Sequence, residues 1–248
     1  MEIILIRHAQ PDWLHGEDYT LDPKLTSLGK EQAKLSSSSL SEQSFEEMWS
    51  SDLRRAKETL HPFERVLKDV PVSIFPWLRE MSDEKEKSLF GKSQEEISNY
   101  FVERNTRPFS EWINNYHGEY FTEYSSNIIH NLENELETRG ISIVSSEIDK
   151  VFSIKNDNVV RTPTPNPNAI DTTSGSRKIL IVSHAGTMSV LLSYFLNIPL
   201  YPWTWRKYLP VHGAHTSLRS TKTEGGHIFR LKKFNDTSFY GREDLTTY

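Results

Sequence analysis

Two unbroken apolar runs dominate the pattern of the chain. Ile3 to Ile6 and Ile179 to Val182 are four β-prone residues each, with no polar position inside either run. A half-exposed strand alternates apolar with polar residues, whereas a strand covered on both faces of a parallel sheet is continuously apolar. Both runs therefore predict central strands. Weaker strand signals lie around Met48 in FEEMWSS and around Ile74 in VSIFPWL. Late in the chain HTSLRSTK and HIFRLKKF do alternate, with TEGG between them as a turn, which predicts an antiparallel hairpin.

Helical periodicity fills the intervals. Ala56, Leu60, Phe63 and Leu67 recur at three- and four-residue spacings, the period of one helix face. Pro62 falls inside that stretch, so a kink or an early stop is expected there. Ile128, Leu132 and Leu136 share the period and end at Gly140, a fitting C-cap. Met188, Leu191, Leu192 and Phe195 do so too and stop before Pro199. Strands alternating with helices predict an α/β fold, a three-layer α/β/α sandwich around a mainly parallel sheet. No repeat and no composition break divides the chain, so one domain over residues 1–248 is expected.

The stretch from about 93 to 177 does not fit the alternation. Its first part is rich in aromatics, Tyr100, Phe101, Phe109, Trp112, Tyr116 and Tyr120 among them, and predicts helices packed over the sheet. From Ile141 to Arg177 it is polar and carries RTPTPNPNAIDTTSGS, the chemistry of turns, linkers or a lid. The whole is expected as a variable helical and loop insertion over the C-terminal edge of the strands.

Composition narrows the function classes. Hydrophobic residues are 36% and charged residues 25% of 248, a folded rather than disordered balance. A net charge of −5 argues against a general polyanion binder, so no nucleic-acid partner is expected. The absence of cysteine excludes disulfides, thiolate zinc sites and cysteine nucleophiles. No apolar run approaches the roughly 20 residues of a membrane span. The N-terminus enters the first strand without a basic flank or cleavage site, which predicts no signal peptide and a cytoplasmic protein.

The two apolar runs also end alike, in Arg7-His8 and Ser183-His184. Ligands of open parallel sheets bind beyond the carboxyl ends of the strands, so these positions are where two strands would each deliver an imidazole to one site. A third segment, WSSDLRRAKETL, offers Arg54 or Arg55 at a helix start. Two arginines, two imidazoles and no sulfur suit a phosphoryl group, whose oxygens need several cationic donors. One imidazole can attack phosphorus directly and divide a hard transfer into two easier steps.

At this point four ordered stretches, RHAQ, LTSLGKEQA, SSDLRRAKET and IVSHAG, resemble the signatures of the histidine phosphatase superfamily, also called phosphoglycerate mutase-like. The resemblance covers the first third and the chain from Lys178 onward, and leaves the middle unmatched. It implies that His8 is the nucleophile, that Arg7 and Arg55 bind the phosphate, and that His184 binds it and stabilises developing charge. Glu80 in WLREMSDEK matches the family's proton donor, with Asp83 and Glu84 as rivals in the same loop. Gln10 stands at the family's Glu-or-Gln position and is a candidate substrate contact. The usual Gly and the Ser or Thr beside it are here Ala9 and Pro11, and Leu14 replaces an Asn that many members carry after the Trp.

His212 and His215 in VHGAHTS lack a third ligand at metal spacing, and no metal site is expected. His215 is instead expected at the mouth of the site, against the leaving group. The resemblance thus implies a phosphatase without cofactor or metal, acting on a small phosphomonoester through a phosphohistidine. A mutase that re-donates the phosphoryl group is the alternative, but its long central segment and L-N-E-R-H-Y-G stretch are absent. A phospho-ligand binding protein with weak turnover is a further alternative, and a competent acid at Glu80 argues against it.

Overall fold

The computed structural model describes residues 1–13, 21–81, 89, 92–106, 118–143, 177–200, 207–224 and 226–246. Six strands form one sheet: β1 (Glu2–Arg7), β2 (Glu47–Ser50), β3 (Val72–Ile74), β4 (Lys178–Ser183), β5 (His215–Thr223) and β6 (Gly226–Asp236). Their order across the sheet is β3-β2-β4-β1-β5-β6. The first four are mutually parallel, while β5 runs antiparallel to β1 and β6 antiparallel to β5. The hairpin read from HTSLRSTK and HIFRLKKF is thus present, and it extends an otherwise parallel sheet.

Continuous apolar character in β1 and β4 has the predicted cause. Ile3, Leu5, Ile179 and Ile181 enter one core, and Ile4, Ile6, Leu180 and Val182 enter the other. Successive side chains of a strand point to opposite faces, so a strand covered on both needs apolar residues at every position. On one face lies helix α2 (Arg54–Val66), which contributes Ala56, Leu60 and Phe63. Helix α1 (Ser27–Ser38) packs beside it. Helix α3 (Gln94–Thr106) follows later in the chain. On the other face lie α4 (Gly118–Thr138), with Ile128, Leu132 and Leu136, and α5 (Ala185–Leu196), with Met188, Leu191, Leu192 and Phe195. The result is a three-layer α/β/α sandwich.

Two boundaries test the helix reading. After α4, Gly140 takes φ 67°, and the Ile141 amide returns to the Leu136 carbonyl, as a glycine C-cap requires. Pro62 does not stop α2, which continues to Val66. The expected early end is overruled because Phe63 and Leu67, beyond the proline, are buried in the core. That burial outweighs the one backbone hydrogen bond Pro62 removes. Of the aromatic stretch, Phe109, Trp112 and Tyr116 lie outside the described residues, as does most of the polar segment after Ile143.

Candidate active site

Parallel pairing of β1 with β4 brings the two strand ends together. Arg7 is in register with Ser183, so His8 and His184 emerge side by side, and the His8 amide donates to the Ser183 carbonyl at 2.8 Å. The two imidazole centroids are 5.0 Å apart. The repeated strand ending thus delivers both histidines to one point.

The backbone around His8 is held from three directions. The Ala9 amide donates to Thr59 Oγ1 at 2.9 Å, and that hydroxyl donates to the Arg55 carbonyl one turn earlier at 2.7 Å. The Gln10 amide donates to Gln32 Oε1 at 2.8 Å, and the Thr26 amide donates to the Gln10 carbonyl at 3.1 Å. Thr26 also caps α1 by accepting from the Gly29 amide. A methyl group at Gly29 would collide with the Gln10 carbonyl oxygen, so this helix can approach the loop only with glycine there. Thr26, Gly29 and Gln32 of LTSLGKEQA, and Thr59 of SSDLRRAKET, therefore act on the chain beside His8.

Tautomer and charge follow from these partners. His8 Nδ1 lies 2.9 Å from the Ala9 carbonyl, which can only accept, so Nδ1 carries the proton and Nε2 keeps its lone pair. Burial first, and then the charges of Arg55, His184 and Arg7, hold His8 well below the ordinary imidazole value. His184 is displaced in the same direction by burial and then by Arg55 and Arg7. It is 0% exposed, and neither ring nitrogen has a hydrogen-bond partner among the described residues. A buried polar group left so costs about 1–3 kcal/mol, which a ligand bound there would offset.

Both arginines named from the sequence converge here. Arg7 is buried, and its Nη1 donates to the Pro210 carbonyl at 2.8 Å. At the start of α2, the Arg55 side chain is 3% exposed and lies over the Trp13 ring at 5.0 Å, with Asp22 at 3.7 Å. Arg54, its neighbour, is 57% exposed and pairs outward with Glu58. Helix geometry turns adjacent residues about 100° apart, so only one of the pair can face the sheet.

Glu80 reaches the same strand end from another direction. Thr187 Oγ1 donates to the Arg79 carbonyl at 2.7 Å, and Ser183 Oγ donates to the Leu78 carbonyl at 2.9 Å, which fixes the segment after β3 against β4 and α5. Glu80 Oε2 accepts from the Gly186 amide at 3.0 Å and Oε1 from the Met81 amide at 3.0 Å. His184 is the N-cap residue of α5 and supplies no side-chain cap, so Glu80 satisfies an open amide there. Its rivals Asp83 and Glu84 lie outside the described residues, as does Leu14. Gln10 is partly buried, and its Oε1 accepts from Thr26 Oγ1 at 2.7 Å, which ties this candidate contact to α1.

His215, expected at the mouth of the site, is buried. It opens β5 beside Ile6, Ser36 Oγ on α1 lies 2.7 Å from its Nε2, and its ring lies 4.5 Å from that of Phe239. His212 instead stands next to His8, with ring centroids 5.5 Å apart. Gly213, at φ 70°, turns the chain between them, and its amide donates to the Arg7 carbonyl at 2.9 Å. A turn residue with positive φ reverses the strand-like alternation, and HGAH carried only the glycine as a hint of it. Among the described residues, no group of three His, Asp or Glu side chains has the geometry to hold a metal ion.

With this geometry, comparison with known proteins is informative. The model of the histidine phosphatase superfamily (branch 1) matches residues 3–147, more than half of the chain. No curated protein matches it. Among solved structures, the mycobacterial glucosyl-3-phosphoglycerate phosphatase in complex with inorganic phosphate superposes with TM-score 0.60 at 19% identity, over 97% of this chain and 99% of that one. YhfR of Bacillus stearothermophilus gives 0.61 at 16% identity, over 96% and 98%. The alpha-ribazole phosphatase of Shigella flexneri gives 0.57 at 19%, over 95% and 96%. At such identities these likenesses establish the fold. The chain belongs to branch 1 of the histidine phosphatase superfamily.

Proposed function

We propose that the protein hydrolyses a small phosphomonoester through a phosphohistidine formed on His8 Nε2. The observation that carries this reading is the state of His8: a neutral, buried imidazole whose Nδ1 proton is committed to the Ala9 carbonyl, which leaves Nε2 as the nucleophile. Arg7, Arg55 and His184 neutralise the non-bridging oxygens. In the first step the Nε2–phosphorus bond forms as the bond to the leaving oxygen breaks, and Glu80 gives that oxygen a proton. In the second, water attacks phosphorus, Glu80 takes its proton, and the nitrogen–phosphorus bond breaks to release orthophosphate. No step calls for a cofactor or a metal ion.

The region from about 93 to 177 is read as the variable cover of a single domain. Ile97 of α3 forms a small cluster with Leu89, against which Trp13, Leu21 and Tyr100 pack. Trp13 lies beneath the Arg55 guanidinium, so the cluster supports a cover adjoining the site. Contacts from this cover would choose the leaving group.

Phosphate release from a panel of phosphomonoesters in EDTA, with His8→Ala beside the wild type, tests the reading. Activity that survives chelation and falls by about a thousandfold or more in the variant is expected, together with an acid-labile phosphoenzyme in the wild type. Release undiminished in His8→Ala would overturn it. No release by the wild type from any ester would favour phosphoryl transfer to a second acceptor or binding alone.

A further inference from the structure

His212 is a third imidazole at the strand ends, and none of the four signatures contains it. It is 1% exposed and faces the His8 ring at 5.5 Å. Burial, and after it the charge of Arg7, keeps it well below the ordinary imidazole value, against a smaller opposing contribution from a hydrogen bond to the Thr246 backbone. It is therefore a neutral ring, and its chemistry depends on which nitrogen holds the single proton.

The C-terminal strap answers that question. The short helical turn Arg242–Asp244 leads into Thr246, whose carbonyl accepts from the His212 amide at 2.9 Å and whose Oγ1 lies 2.9 Å from His212 Nδ1. Gln32 fixes the direction of that second bond. Its Oε1 must be the oxygen, because it accepts from the Gln10 amide, which can only donate. Its Nε2 then donates to Thr246 Oγ1 at 2.8 Å and to the Asp244 carbonyl at 2.6 Å. Thr246 Oγ1 thus already accepts one proton, and no other acceptor for its own proton is found among the described residues. His212 Nδ1, 2.9 Å away, is the acceptor within its reach there, and we take the hydroxyl as donating to it. The remaining proton of the imidazole must then sit on Nε2, at the far edge of the ring from the strap.

We propose that His212 is a phosphoryl-binding residue of this site, donating from Nε2–H, and that Thr246 and Gln32 are positioning residues that fix its tautomer. The inference rests on the phosphohistidine reading above and extends it. His8 and His212 are neighbouring rings in opposite tautomers: the carbonyl of Ala9 makes one a nucleophile, and the hydroxyl of Thr246 makes the other a donor. Gln32 joins the two, since it holds the Gln10 amide with one end of its side chain and the strap with the other. The C-terminal residues would therefore be part of the site although they lie far from it in sequence.

The test combines nitrogen-15 NMR of histidine-labelled full-length protein with steady-state kinetics on p-nitrophenyl phosphate. The spectra are expected to show Nε2–H for His212 and Nδ1–H for His8, and addition of orthovanadate should shift the His212 Nε2–H signal. His212→Ala is expected to lower kcat/KM and to weaken inhibition by inorganic phosphate, each by about 10- to 100-fold, the loss of one hydrogen bond to a charged group. Thr246→Val should mix the His212 tautomers and lower kcat/KM several-fold, while Thr246→Ser restores both. Should His212→Ala fail to fold, the valine and serine variants and the spectra decide alone. An Nδ1–H tautomer at His212 in the wild type would overturn the proposal. So would kcat/KM and phosphate inhibition within twofold of wild type in His212→Ala while His8→Ala is inactive, a result that leaves the phosphohistidine reading standing. Activity retained in His8→Ala would instead remove the reading beneath it.

Discussion

The carboxyl ends of β1 and β4 carry one histidine each and the turn into β5 carries two, and the fold treats the two pairs in opposite ways. Beyond β1 and β4 the strands are parallel and in register, so equivalent positions emerge side by side and His8 meets His184. Before β5 the chain turns at Gly213 and runs antiparallel, so His212 and His215 separate. One faces His8, and the other is buried against Ser36 and Phe239. Two histidines meet where parallel strands end in register, however far apart in sequence, and part where a turn reverses the chain between them.

The largest effect that would sharpen this contrast lies in the neighbouring arginines. Arg55→Met is expected to lower kcat/KM by about a thousandfold, because a buried guanidinium leaves the place where charge develops in the proposed reaction. Arg54→Met should stay within about threefold, since its side chain pairs outward with Glu58. Steady-state kinetics on one phosphomonoester compares them, and equal losses would break the distinction.

A middle-sized effect is expected at Thr59, which joins the two elements. Thr59→Val keeps the shape but leaves the Ala9 amide and the Arg55 carbonyl without the hydroxyl. Urea unfolding should show a loss of about 1–3 kcal/mol, and kcat/KM should fall about tenfold as His8 and Arg55 loosen. Wild-type values for both would mean that the hydroxyl holds nothing.

The smallest effect on turnover is expected at His215. His215→Gln should leave kcat/KM and KM within twofold, against the sequence-based expectation that this residue contacts the leaving group. Its mark should be on stability instead. Folding lowers His215 to about 4, chiefly through burial. Below about pH 6.5 the unfolded chain gains a proton there that the folded chain does not, so stability is full above that value and lost as pH falls toward 4. Removing the group should reduce the acid loss between pH 6.5 and 4 by up to about 3 kcal/mol, read from urea unfolding across that range. An unchanged pH profile with a raised KM would return His215 to the mouth of the site.

Much of the fold was legible because its determinants are local. The apolar runs of β1 and β4, the period of α2, α4 and α5, and the glycine after α4 are each contained in one short stretch of sequence. An early stop at Pro62 did not follow for the complementary reason: the burial of Phe63 and Leu67 that carries α2 through it is a tertiary fact. In the candidate site, Arg7, His8, Arg55, Glu80 and His184 could be nominated because each sits in or beside a recognisable stretch. His212 could not be singled out, since its distinction depends on Thr246, Gln32 and the turn at Gly213, which meet only in three dimensions.

The sequence by itself determined which elements form and which side chains stand at the strand ends, because periodicity, turn residues and strand direction are properties of neighbouring positions. Only the tertiary structure decided the protonation geometry. Which nitrogen of His8 or His212 is free depends on whether a carbonyl or a hydroxyl lies against its Nδ1, and those partners come from Ala9 in one case and from the far end of the chain in the other.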